Sequence, residues 1–287
     1  MTGLGDLLAA LDLESVDETE GRFRAGNVAH GPGVVFGGQL LAQSLVAAAR
    51  TIPGKEVLSL HTVFARGASQ DQPLDVVVEP IHSGRAFASV AVTIGQGERT
   101  STRSLVLLHD PSPDLIRHAE HAPDVASAND VTPRPAANMP WELRIVDDVD
   151  LSDPDAHGPP ELRVWVRFPG AADVGDPAIS QALLAYASDG FLIGTAMRPH
   201  PGVGQSMAHV SISTTVLTQT LSFHEHFHAG DWLLLDQRST YAGRGRSRGR
   251  AEVFTADGRL VASFGQDNMI RDFPDGQAPS AGERAKH

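Results

Sequence analysis

One carboxylate stands apart from the other acidic residues of this chain by its surroundings. Asp189 lies in the stretch LLAYASDGFLIG (183–194), with no lysine, arginine or histidine within eight residues on either side. A carboxylate at a helix end can simply meet solvent beside a glycine such as Gly190. However, an apolar run follows at once, and a buried carboxylate is costly unless neutral donors bind it. The local sequence therefore leaves open a solvated helix end and a general base in a closed site.

Two further patterns are typical of catalytic or metal sites, and their context argues against both. GRSRG (245–249) has the spacing of the serine-hydrolase nucleophile motif, but strand, turn and strand patterns follow it. The next histidine in the chain is His287, so the triad order serine, acid, histidine cannot be completed. His224, His226 and His228 would share one face of a strand, but no carboxylate-rich segment accompanies them to complete a zinc site. We expect no metal and no cofactor.

Composition excludes several classes of partner. The 287 residues carry a formal net charge of -12, whereas proteins that hold a phosphate backbone use clustered lysine and arginine. There is no cysteine, which excludes disulfides, thiolate metal sites and thiol nucleophiles. No window is apolar enough to cross a membrane, and the first residues lack the pattern of a secretory leader. We expect a cytoplasmic globular protein with no nucleic-acid and no membrane partner.

The order of predicted elements repeats once along the chain. In the first half, an apolar, alanine-rich helix over 36–50 precedes several β-branched runs separated by turn signals. In the second half, Asp176 and Pro177 have the residue types of a helix start, and strand-like runs again follow the apolar helix that they open. Shifting the sequence by 159 places Phe64 on Phe223, which indicates an internal repeat.

These patterns predict an α+β fold of the double-hotdog type, with two antiparallel sheets each wrapped around a long helix. The helices over 36–50 and 178–192 are apolar on every side, and such a helix has to be wrapped. The predicted units are an N-terminal hotdog over 1–110, a linker rich in proline and aspartate over 111–160, a C-terminal hotdog over 161–272 and a disordered tail over 273–287.

Small residues and arginines alternate in AGRGRSRGRAEVF (242–254). Strand periodicity places the glycines and Ser247 on one side, where they could lie close against a helix. The arginines from Arg244 to Arg250 lie on the other side. That side is either a solvated sheet surface or a patch for a phosphate-bearing ligand, since arginine binds phosphate in bidentate geometry.

Five segments carry a resemblance to a known family: VFGGQLLAQSL (35–45), SLHTVFARG (59–67), LLAYASD (183–189), LSFHEHF (221–227) and DGRLVASFGQDNMIR (257–271). With them the chain resembles the acyl-CoA thioesterase II family, whose members are double hotdogs. The similarity covers roughly 20–110 and 160–272 and leaves out the linker and the tail. It implies hydrolysis of acyl-CoA thioesters by a water that an Asp, a Thr or Ser, and a Gln hold and activate, with no acyl-enzyme.

Carried over residue by residue, the resemblance implies catalytic roles for Asp189 and Gln266. The family hydroxyl falls on Val216, whose side chain cannot position a water. In a regular strand Thr218 shares the face of Val216, whereas Thr215 faces away unless a bulge intervenes. We therefore expect Thr218 to replace the family hydroxyl.

The expected mechanism has Asp189 as base or water-orienting carboxylate and Gln266 fixing the water by its amide. A backbone N–H at a helix end would polarise the thioester carbonyl. Arg246 and Arg250 match family positions and are the expected contacts of the CoA phosphates. The expected partner is acyl-CoA, and the resemblance suggests a homo-oligomer.

Departures from the family pattern leave a second function open. The family has an acidic residue and a histidine where Thr218 and Gln219 stand, and a proline where Gly67 stands. Together with Val216, these differences are compatible with a catalytically weakened acyl-CoA-binding protein of the same fold. A hotdog hydratase would need a recognisable His and Asp pair, and we find none.

Overall fold

Twelve β-strands of the described chain join into one continuous antiparallel sheet. The structure is a computed structural model that describes residues 3–17, 19–28, 33–134, 139–171 and 174–273. The strands are Glu14–Asp17 (β1), Arg22–Ala25 (β2), Glu56–Phe64 (β3), Leu74–Ser83 (β4), Phe87–Gln96 (β5), Arg99–His109 (β6), Glu142–Ile145 (β7), Glu161–Arg167 (β8), Ile212–Phe223 (β9), Leu233–Gly243 (β10), Arg246–Thr255 (β11) and Leu260–Asp272 (β12). Their order in the sheet is β1-β2-β4-β5-β6-β3-β9-β12-β11-β10-β8-β7.

The helices lie on the inner side of this sheet. They are Leu4–Leu11 (α1), Gly37–Thr51 (α2), Pro177–Ser188 (α3) and Leu192–Met197 (α4). Helix α2 has buried side chains around its whole circumference from Gly38 to Ala48, as its apolar sequence predicts. Helix α3 starts where predicted, because the Asp176 side chain accepts a hydrogen bond from the Ala178 N–H.

The predicted helix over 178–192 is wrong at its C-terminal end. Helix α3 ends at Ser188, Asp189 is its C-cap, and the chain turns before α4 begins at Leu192. The Gly190 N–H bonds back to the Ala187 carbonyl and closes the last turn. A helix terminus therefore interrupts the apolar run, and Asp189 lies at the break.

Helices α2 and α3 pack at very short distance. A Cβ atom at Gly38 would lie 2.3 Å from the backbone carbonyl oxygen of Tyr186, a distance that side chains cannot adopt. Glycine is therefore required at this position, since neither backbone can yield. The close approach brings the first turn of α2 to the last turn of α3.

The two halves of the repeat are joined edge to edge through β3 and β9. Their register pairs His61 with Thr220, two residues that are themselves 159 apart. The repeat shift is also 159, so this pair marks a local two-fold axis that relates the halves. The two predicted sheets thus merge into one, because each half supplies the edge strand that the other needs.

The predicted linker contributes to the C-terminal half. It contains β7, which pairs with β8, and Trp141, which is buried against the ring of Tyr186 at a centroid distance of 5.3 Å. Residues 274–287, nearly all of the predicted tail, lie outside the described residues. Among the described helices, none combines the length and the apolar character that a membrane crossing requires.

Candidate active site

Asp189 lies between the C-terminus of α3 and the N-terminus of α2. Its Oδ2 accepts a hydrogen bond of 3.0 Å from the Gly38 N–H, and its Oδ1 accepts one of 3.3 Å from Gln266 Nε2. A Cβ atom at Gly37 would lie 2.7 Å from the same Oδ2. The Gly37–Gly38 pair therefore lets the carboxylate reach the positive end of a helix dipole.

The environment of Asp189 sets its protonation. The side chain keeps partial access to solvent, but close packing removes most of its hydration. This desolvation raises the pKa of Asp189 from 3.8 to about 7, and the Gly38 N–H opposes the shift by favouring the charged form. A carboxylate that titrates near neutral pH can take up and release a proton, as a general base must.

Two aromatic side chains, Phe36 and Tyr186, lie beside the helix ends that hold Asp189. Tyr186 is fully buried, and its ring contacts Phe36 edge-on at a centroid distance of 5.0 Å. Burial, and secondarily the charge of Asp189, raises the pKa of Tyr186 to about 12. The phenol therefore stays neutral, so Tyr186 contributes apolar surface and no negative charge of its own.

Gln266 belongs to a chain of buried hydrogen bonds. Its Nε2 donates to Asp189 and also to Gln219 Oε1, at 2.6 Å. Gln219 Nε2 donates to Ser188 Oγ at 2.5 Å. The Oε1 of Gln266 is buried and has no hydrogen-bond partner among the described residues. An acceptor with no partner therefore lies beside the carboxylate.

The structure does not bring Thr218 to Asp189, and the premise that it shares a face with Val216 is wrong. Thr218 pairs with Asp267 across the strands, whereas Val216 pairs with Asn268, so a bulge at Leu217 separates them. Since Asp267 and Asn268 are consecutive, their side chains point to opposite faces. The Thr218 hydroxyl donates to Asp267 at 3.1 Å on the outer face.

Val216 occupies the inner face, on the same side as Gln266. Its cross-strand partner Asn268 is fully buried, donates to Ser247 Oγ at 3.3 Å and has a buried Oδ1 with no partner among the described residues. Val216, where the resemblance places the family hydroxyl, thus faces inward and carries two methyl groups. An unsatisfied amide oxygen lies opposite them.

Comparison with known proteins identifies the family. A family model described as the acyl-CoA thioesterase C-terminal domain matches residues 116–270, and one described as the acyl-CoA thioesterase N-terminal domain matches residues 27–109. The chain belongs to the acyl-CoA thioesterase II family. This membership confirms the predicted resemblance, the double-hotdog fold class and the thioesterase enzyme class.

Individual relatives resemble this thioesterase over nearly its full length. Acyl-CoA thioesterase 2 of Haemophilus influenzae is 28% identical over 291 residues, which cover 93% of this chain and 98% of the relative. Acyl-coenzyme A thioesterase 8 of Mus musculus is 28% identical over 262 residues, which cover 83% and 80%. The acyl-CoA thioesterase II TesB2 structure from Mycobacterium marinum has a TM-score of 0.77 and 28% identity, covering 95% of this chain and 99% of that one.

The arginines of this thioesterase lie on the outer face of the sheet, as strand periodicity predicts. Arg246 and Arg250 are exposed, whereas Ser247 and Gly249 between them are buried. A Cβ atom at Gly249 would lie 2.6 Å from the Leu192 side chain, so the small face packs against α4. Because Gln266 points inward from the neighbouring strand, the sheet separates both arginines from Asp189.

Two other surface features lie away from Asp189: a set of histidines and an apolar hollow. His224 Nε2 lies 3.0 Å from Ser263 Oγ, and His226 Nε2 lies 2.7 Å from Glu56 Oε2. Both histidines are exposed. A hollow of about 330 Å³ on the N-terminal half is bordered on the outer face by exposed Ile81 and Leu105. Neither feature has the buried acceptors that surround Asp189.

Sequence reasoning did not identify Gln219 and Asn268 as residues of this site. A signal was present for Asn268, because it lies two residues after Gln266 and shares its face in a regular strand. For Gln219 the signal was its departure from the family pattern. Its inward orientation could not be derived from the sequence, since the bulge at Leu217 changes the alternation of β9.

Proposed function

We propose that this thioesterase hydrolyses acyl-CoA by direct attack of a water that Asp189 activates. The observation that carries the proposal is that a carboxylate whose pKa is about 7 lies next to a buried amide oxygen with no hydrogen-bond partner among the described residues. Both belong to one hydrogen-bonded unit through Gln266 Nε2. Together they provide two acceptors for the two hydrogens of one water.

This arrangement leaves the nucleophile free. A water that donates one hydrogen to Asp189 and the other to Gln266 Oε1 keeps an oxygen lone pair directed at the thioester carbon. Attack forms the new C–O bond while Asp189 accepts the proton. Breaking the C–S bond then releases CoA, and the proton on Asp189 passes to the departing sulfur to give the thiol and the free acid.

The N–H of Gly38, at the start of α2, is proposed to act on the base. Gly38 donates to the carboxylate of Asp189, so we assign it to stabilising the ionised base rather than polarising the thioester carbonyl. The first turn of α2 also favours negative charge at this position. These two effects limit how far burial raises the pKa, which keeps the base functional at neutral pH.

A catalytically weakened acyl-CoA-binding protein is the second candidate. It is favoured by Val216, which places methyl groups where the family has a hydroxyl on the inner face. One missing contact to the water reduces the precision with which it is held, but the two acceptors described above do not depend on it. We therefore favour hydrolysis over binding alone.

The test is a thiol-release assay across short, medium and long acyl-CoAs, with wild type and Asp189→Asn compared. The variant keeps the shape of the side chain but removes the base, so turnover should fall at least about 10²-fold. Circular dichroism of the variant checks that it folds. Near-normal turnover by folded Asp189→Asn would overturn the mechanism, and tight acyl-CoA binding without any thiol release by wild type would support the second candidate.

Two further contacts are proposed for the substrate and for assembly. Arg246 and Arg250 are proposed contacts of the CoA phosphates, which requires CoA to reach the outer face of the sheet.

A homo-oligomer is proposed because exposed Ile81, Phe87 and Leu105 leave apolar surface on the N-terminal half. Light scattering that finds only a 30.5 kDa particle at micromolar concentration would contradict assembly.

A further inference from the structure

Gln219 links Gln266 to the helix that carries Asp189. The Ser188 hydroxyl donates to the Ala185 carbonyl at 2.8 Å, and Ser188 Oγ accepts from Gln219 Nε2. Gln219 Oε1 then accepts from Gln266 Nε2. Ser188, Gln219 and Gln266 are each fully buried, so water does not compete for these bonds.

Each bond in this chain has a fixed direction. A serine has one hydroxyl hydrogen, and here it is committed to the Ala185 carbonyl, so Ser188 Oγ can only accept from Gln219. The Nε2 of Gln219 must therefore face Ser188, and its Oε1 must face Gln266. That oxygen requires a donor, which turns the Nε2 of Gln266 toward it and leaves Gln266 Oε1 on the other side.

We infer that Gln219 is a positioning residue, which fixes the amide orientation of Gln266 so that an oxygen and not an NH2 group receives the attacking water. The inference rests on the proposed function. With the opposite orientation, Gln266 would present Nε2 to the water and could not accept its hydrogen. Its Oε1 would face the Asp189 carboxylate, and two acceptors in contact disfavour the ionised base.

The primary test is Gln219→Leu. Leucine fits this position of the fold, because Leu60 occupies the equivalent site in the N-terminal half, 159 residues earlier. We expect kcat to fall about 10- to 100-fold through misplacement of the water, with KM changed less than about twofold. The acid limb of the pH–rate profile should also move to higher pH, a change that a purely structural defect would not cause.

Rescue and control variants separate positioning from general disruption. Gln219→His restores one donor and one acceptor and should return kcat to within about threefold of wild type. Ser188→Ala should shift kcat and the acid limb in the same direction as Gln219→Leu, but less. Gln237→Leu is the matched control: Gln237 is buried in β10, its amide atoms have no partner among the described residues, and the pH profile should be unchanged.

Failure of this inference differs from failure of the proposed function. If Asp189→Asn abolishes turnover while Gln219→Leu keeps the wild-type kcat and acid limb, the positioning role is wrong and the mechanism stands. If Gln219→Leu does not fold, Ser188→Ala and Gln219→His decide the question. If wild type is inactive, the pH dependence of its unfolding free energy, measured relative to Asp189→Asn, replaces the assay. If Gln219→Leu leaves that pH dependence unchanged, the inference is refuted.

Discussion

The two halves of this thioesterase share a fold but differ at three corresponding positions. The C-cap of α3 is Asp189, whereas the C-cap of α2 is Ile52. In the C-terminal half, Gln219 faces Gln266 across β9 and β12, whereas in the N-terminal half, Leu60 faces Val106 across β3 and β6. One half therefore has a carboxylate and two amides where the other has three apolar side chains.

The comparison of the two halves shows that the architecture does not require the polar residues at these positions. Leu60 and Val106 are almost completely buried in the same sheet environment that holds the glutamines, and they need no hydrogen bonds there. A buried amide with an unsatisfied oxygen is costly, and the N-terminal half avoids that cost at Leu60 and Val106, although Gln43 in α2 also has a buried Oε1 with no partner among the described residues. The two glutamines that face each other across β9 and β12 are therefore not required by the fold at these positions.

Turnover should fall most strongly when the C-terminal half is changed to resemble the N-terminal half. Gln219→Leu combined with Gln266→Val should lower turnover at least about 10³-fold, because the water loses its amide acceptor and Asp189 loses its donor. The free energy of unfolding should change by less than about 2 kcal/mol, since both partners of a buried hydrogen bond are removed together. Thiol release and urea unfolding measure the two quantities; turnover within tenfold of wild type would remove the glutamines from the mechanism.

The pH dependence of kcat/KM and of the unfolding free energy should reflect Asp189, a carboxylate that the N-terminal half lacks at the corresponding helix end. Because the pKa of Asp189 is about 7 in the folded chain and 3.8 ordinarily, kcat/KM should fall about tenfold for each pH unit below that value. Between the two pKa values the folded state holds a proton that the unfolded state releases. The unfolding free energy of wild type relative to Asp189→Asn should therefore decrease as pH rises through this range, and calorimetry that finds parallel curves would contradict it.

A moderate gain is expected where the C-terminal half lacks the family hydroxyl. Val216→Thr should raise turnover by up to about tenfold, because the new hydroxyl faces the site and can donate to Asn268 Oδ1. Thr218→Val is the matched control on the outer face and should leave turnover within about twofold. A loss of activity from Thr218→Val, with no gain from Val216→Thr, would return the hydroxyl role to Thr218.

A small change in KM is expected from Arg246 and Arg250 in β11. The equivalent strand of the N-terminal half, β5, has no arginine. Arg246→Ala and Arg250→Ala should each raise the KM for acyl-CoA about 3- to 10-fold, with kcat unchanged, since an exposed phosphate contact contributes modestly. Arg103→Ala, an exposed arginine of the N-terminal half, is the control. An unchanged KM at low salt would show that the arginines on the outer side of the sheet form a solvated surface and do not bind phosphate.

Periodicity in the sequence predicted most of the fold because the signals were unambiguous. The apolar helix over 36–50 lies within one residue of α2 at each end. The alternation of arginine and small residues matches β11 from Arg246 onwards, whereas Arg244 and Gly245 form the turn before it and not part of a strand. The repeat shift of 159 coincides with the pairing of β3 and β9. Side-chain type alone determined these features.

The site was less predictable because it depends on irregular backbone. Asp189 and Gln266 followed from the resemblance, but nothing in TTVLTQT indicates that Leu217 is the bulged residue. An error of one residue in a strand reverses its faces, which is why Thr218 was expected in the site and Gln219 was not. Helix α3 ends at Ser188 although apolar residues continue after it, and the local signal for this end is Gly190, which follows the C-cap Asp189.

The pairing of β3 with β9 has a consequence for how the protein can change over evolutionary time. If the halves were separate copies of one gene product, every substitution would appear in both, so a glutamine pair useful at one site would burden the other. Covalent continuity removes that coupling, and each half can accumulate its own substitutions. It also makes the join between His61 and Thr220 an intramolecular event, so its formation should not depend on protein concentration.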